Sequence, residues 1–80
     1  MNKTQIRQLK RIRLRCSKYA NALNAMADEL IKLKLNFSPE IYRAIDELTS
    51  AMVKACNAEN AIIYAIRTEQ EDYLQTSYNL

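Results

Sequence analysis

An all-α fold is predicted: an antiparallel hairpin of two long helices that pairs with a second copy into a four-helix bundle. Three observations lead there. The 80 residues contain no glycine and one proline, apolar residues recur every seven positions along both halves, and the only cluster of turn-forming residues lies near the middle. Without glycine, the tight turns of small sheets lose the residue that reaches positive φ most cheaply. Long uninterrupted helices are what remains, within a single domain spanning residues 1–80.

The first helix is expected over about residues 3–35, a stretch with no helix breaker. Leu9, Cys16, Leu23, Leu30 and Phe37 make one apolar column. Ile12, Tyr19, Met26 and Leu33 make a second, and together they read as the packed stripe of a heptad repeat. The boundary follows at Asn36-Phe37-Ser38-Pro39. Asn36 suits the left-handed end of a helix, Ser38 suits an N-cap, and Pro39 suits the first helical position, where a missing N–H costs nothing. Phe37 and Tyr42 have the spacing of a hydrophobic staple, and Glu40 favours the positive end of the helix dipole.

The second helix is expected over about residues 39–76. Ile41, Leu48, Ala55 and Ile62 form one column, with Ile45, Met52 and Ile66 on another. Ala44, Ala51, Ala58 and Ala65 form a third, whose small side chains allow a neighbouring helix to come close. Two rods of about 50 and 55 Å joined by so short a turn must lie antiparallel. A lone pair leaves apolar surface wet, so Ile62, Ile63, Tyr64 and Ile66 are candidates for a dimer interface. The alternative is a three-helix bundle with one arm broken near residues 21–24 or 57–60, where asparagines cluster.

Charge is the most distinctive feature. Residues 1–18 hold Lys3, Arg7, Lys10, Arg11, Arg13, Arg15 and Lys18 and no acid, a local +7 that leaves −4 on the other 62 residues of a chain whose net charge is +3. At 100° per residue most of these fall opposite the Leu9 column, with Arg13 flanking it. If positions whose numbers total about 73 face one another in the hairpin, Lys3 and Arg7 come near Glu69, Glu71 and Asp72. Among the acids, only Glu59 then lies opposite the rest of the strip. Arg7, Lys10, Arg11, Leu14, Arg15 and Lys18 are therefore the candidate surface for a polyanion or a partner.

The composition also excludes chemistry. There is no histidine and no tryptophan, and only two cysteines, Cys16 and Cys56. A structural zinc site, a catalytic triad and a histidine-containing di-metal bundle centre each lack ligands or a base. The adjacent acids Asp28-Glu29, Asp46-Glu47 and Glu71-Asp72 diverge by about 100° on a helix and cannot converge on a substrate. Catalysis, a metal and a cofactor are not expected. The longest apolar run covers residues 61–66, far short of the roughly 20 that cross a bilayer, and no export signal is visible. A soluble, cytoplasmic protein with two free thiols is the expectation.

The sequence thus points to a small non-catalytic regulatory or adaptor protein acting through protein–protein contacts on a helical bundle. Its expected partners are itself, as a homodimer, and a protein of unknown identity, with no membrane. The alternative is an RNA- or DNA-binding regulator using the basic face of the first helix. In shape, though not in sequence, such a bundle resembles small plasmid RNA-binding bundles.

Overall fold

The computed structural model describes residues 1–33 and 38–79, with side chains described as far as residue 69. It is a hairpin of two helices packed on each other, α1 over Lys3–Lys32 and α2 over Pro39–Asn79. The molecule measures 66 × 17 × 15 Å. Both arms run unbroken through their asparagine clusters, so the three-helix alternative is excluded. Asparagine keeps its N–H and fits helical φ and ψ at a cost of only a few tenths of a kcal/mol relative to alanine, about 0.5.

Asn2 starts α1. Its side chain accepts a hydrogen bond from the Gln5 backbone N–H at 2.8 Å, while Asn2 donates its own N–H to the Gln5 side chain at 2.9 Å. This reciprocal box satisfies two polar groups at a helix start whose first turn carries no acid. The cap offsets the unfavourable placing of Lys3 at the positive end of the dipole. At its other end α1 stops at Lys32, with Leu33 as cap, three residues short of the expected end. Ser38 caps α2 as anticipated: its hydroxyl accepts from the Ile41 N–H at 3.4 Å, and its carbonyl accepts from the Ile41 and Tyr42 N–H groups. The predicted roles of Leu35, Asn36 and Phe37 lie outside the described residues.

The seam differs from the expected one on α1. The Leu9, Cys16, Leu23, Leu30 column faces α2, but its companion is Ile6, Arg13, Ala20 and Ala27. Ala20, Leu23 and Ala27 are buried, whereas Ile12, Tyr19, Met26 and Leu33 are exposed. The physical reason lies in register. Arg13 stands 3.3 Å from Glu59 and the Met1 ammonium 3.2 Å from Glu69, so facing positions have numbers totalling about 70 to 72. Carried along both helices, that register brings Ala20 within a turn of Met52 and Ala27 within a turn of Ile45. Large α2 residues thus meet small α1 residues, which lets the helices close up. On α2 the seam follows the Ile41 and Ile45 columns, half-buried for the most part, with Ile66 fully committed. The alanine column flanks this seam, and Ala58 is exposed.

The core that results is thin. Among the described residues four are buried, namely Ala20, Leu23, Ala27 and Ile66, and no side chain is completely enclosed. The accessible surface is 6724 Å² for a 9.3 kDa chain, against roughly 5,000 Å² for a compact folded monomer of that mass.

Candidate interaction surfaces

Two faces of the hairpin follow directly from this seam. A residue three positions on from the Leu9 column is turned about 60° to one side, and so is a residue three positions on from the Ile41 column. Because the helices run antiparallel, both displacements fall on the same side of the seam. The first face therefore carries Ile12, Tyr19, Met26 and Leu33 from α1, alongside the Ala44, Ala51, Ala58 and Ala65 column of α2. Tyr19 is 64% exposed and Leu33 is 59% exposed. No position of either column carries a charge.

The second face, across the seam, holds a shallow groove of about 430 Å³ lined by Lys10, Arg13 and Leu14 of α1 and by Ile63, Ile66 and Arg67 of α2. Its floor is apolar and three cations surround it. Leu14, exposed among the basic residues as the sequence implied, belongs to this floor. Ile63 brings half-buried apolar surface from the other helix. Arg67 joins the basic side from α2, a contribution the sequence reading missed. Arg67 lies 57 positions beyond Lys10 in the chain, and only the hairpin register brings them together.

Every member of the predicted strip, Arg7, Lys10, Arg11, Leu14, Arg15 and Lys18, is exposed. Arg13 is different. Its Nε lies 3.3 Å from Glu59 Oε2, with the Glu59 side chain 17% exposed and the Arg13 side chain 40% exposed. The Nε–H is buried but not aimed at the carboxylate, so the contact is an ion pair without a directed hydrogen bond. Glu59 is thus engaged by Arg13, the one cation in the seam among the described residues. At the end of the hairpin the Met1 ammonium lies 3.2 Å from Glu69, a pair too exposed to contribute more than about 1 kcal/mol. The predicted neighbours Glu71 and Asp72 have side chains outside the described residues.

The proposed dimer residues of α2 separate. Ile66 is buried inside the hairpin, Ile62 and Ile63 are half-buried, and Tyr64 stands 73% exposed. Cys16 and Cys56 are both half-buried free thiols. Among the described residues no cluster of three metal-ligating side chains occurs, and no helix is long and apolar enough to cross a membrane. The chain matches no protein-family model, no curated protein and no solved structure.

Proposed function

We propose that this protein is a non-catalytic interaction module of the regulatory or adaptor kind, which homodimerises into a four-helix bundle and engages a protein partner through its surface. One observation carries the reading: an uncharged face bearing four large apolar side chains lies open along a molecule with roughly 1,700 Å² more surface than a compact monomer of its mass would have. A stable protein interface removes about 800 Å² from each partner. The excess is thus sufficient for self-association with surface left over. Thin two-helix cores gain stability most readily by adding helices to the same core.

The solution mass tests the reading. Sedimentation at micromolar concentration is expected to give twice the 9.3 kDa of the chain; a particle of single-chain mass would overturn the dimer. A second reading, RNA or DNA binding, is favoured by the convergence of Arg67 with Lys10 and Arg13 around one groove beside the exposed strip. Cations held by two rigid helices can track phosphates without further folding. On this reading duplex or single-stranded nucleic acid is bound at 50 mM salt and released by 200 mM, with affinity falling by a factor of about 10³ if six phosphates are contacted. The pair Lys10→Glu and Arg67→Glu should then abolish capture. Unchanged capture would mean that the groove is not the site.

A further inference from the structure

We infer that the second copy lies antiparallel along α1 itself, with the two-fold axis passing beside Ala22. This rests on the dimer reading above and adds its register. Next to the exposed Ile12, Tyr19, Met26, Leu33 column, one step further from the seam, runs the column Gln8, Arg15, Ala22 and Glu29, every member of which is exposed. It is apolar at its centre, positive on one side and negative on the other.

A two-fold interface repeats every contact in both directions. Let Ala22 meet Ala22 of the second copy with the helices antiparallel. Arg15 then stands level with Glu29 of the second copy, and Glu29 with its Arg15. Tyr19 falls beside Met26, and Ile12 beside Leu33, so the apolar side chains pair around the same centre. A methyl group at the axis is the smallest contact a β-carbon allows, and it lets the two backbones come close. One column thus supplies the small contact and two opposite-charge pairs, while its neighbour supplies the apolar layer.

Face-to-face hairpins have one other two-fold arrangement, with the axis along the helices and both turns at the same end. There α1 would lie on α2 of the second copy at the levels seen within the chain. On the α2 column beside the alanines, the member nearest Arg15 would then be Lys54 and the member nearest Glu29 would be Glu40, each about 4.5 Å off level. Those are like charges, twice over, and their repulsion opposes that arrangement. The antiparallel register replaces them with attraction. It also carries Lys3, Arg7 and Lys10 beyond Leu33 of the second copy, so that a basic tip projects at each end of the dimer. Arg15 is thereby moved from the polyanion strip to the interface.

The test is a charge-reversal cycle followed by sedimentation. Arg15→Glu alone and Glu29→Arg alone should each weaken self-association about tenfold, since two pairs turn repulsive in each dimer. An equimolar mixture of the two variants should recover the wild-type affinity, because the mixed dimer restores opposite charges at both sites. Residues 15 and 29 are too far apart along one helix to interact, so no effect within a chain can produce that recovery. A dimeric wild type whose affinity is unmoved by either reversal, or variants whose mixture stays weak, would overturn this register and leave the dimer standing. A monomeric wild type would overturn both.

Discussion

The two faces of the hairpin are geometrically equivalent, each about 80° from the centre of the seam, yet their residues differ throughout. On one, α1 offers Ile12, Tyr19, Met26 and Leu33 beside the alanines of α2. On the other, α1 offers Lys10, Ser17, Asn24 and Ile31 beside Tyr42, Thr49, Cys56 and Ile63 of α2. The first is uncharged and graded in size, large on one helix and small on the other. The second is mixed, with its cations gathered toward one end around a groove. A seam of this kind fixes which positions are exposed; the residues one step out from it decide what each face is suited to bind. Large exposed apolar side chains in a row favour a dry protein contact, whereas cations around an apolar floor favour an anionic or amphipathic one.

The comparison breaks most readily on the uncharged face. Tyr19→Lys combined with Met26→Lys would place four ammonium groups in the centre of a dimer, where desolvation without a partner is costly. Self-association should weaken by at least about 100-fold, or roughly 2.7 kcal/mol, read as a fall in sedimented mass toward 9.3 kDa. Both side chains are exposed in the single hairpin, so helical circular dichroism at high protein concentration should survive. A loss of helix at every concentration would show instead that the hairpin does not stand without its second copy. Nucleic-acid capture at the groove, if it occurs, should persist in this variant, because the groove lies across the seam.

Much of the fold was legible in the sequence. Ser38-Pro39 announced the start of α2, the missing glycines announced unbroken arms, and the Leu9 column named one side of the seam. Asn2 and Gln5 also carried a readable capping signal three residues apart. What could not be read was which neighbouring column completes the α1 seam. Both the column three positions on and the column four positions on are compatible with a heptad, and the larger side chains favoured the former. The choice depends on the facing helix: Met52 and Ile45 need small partners, and Ala20 and Ala27 supply them. The same limit hid Arg67. Its place beside Lys10 is a matter of register between helices, which periodicity within one helix does not contain. Arg13 and Glu59 held the missing information. Among the described residues each is the single charged member of its seam column, and their pairing points to the register.

That pair gives the smallest expected effect and the sharpest question. Neither charge is deeply buried, and water reaches the Arg13 side chain over 40% of its surface. Glu59→Ala should therefore cost only about 1 kcal/mol in denaturant unfolding, since the guanidinium can turn outward on its long stem. Arg13→Leu with Glu59→Leu should be neutral or stabilising by up to about 1 kcal/mol, because apolar residues of similar size fill the seam without desolvating an ion pair. The value of the pair would then lie in register. With leucines at these positions the seam no longer contains a charge pair that distinguishes one alignment from another slipped by seven residues, and the matching of large with small side chains is left to do so. Such a slip would carry Arg67 about 10 Å along the seam from Lys10 and dismantle the groove. Spin labels placed on exposed Ser50 and Asn24 would report it as a broadened distance distribution in the doubly substituted protein and a narrow one in the wild type. A narrow distribution in both would show that the complementarity of Ala20 with Met52 and of Ala27 with Ile45 sets the alignment by itself.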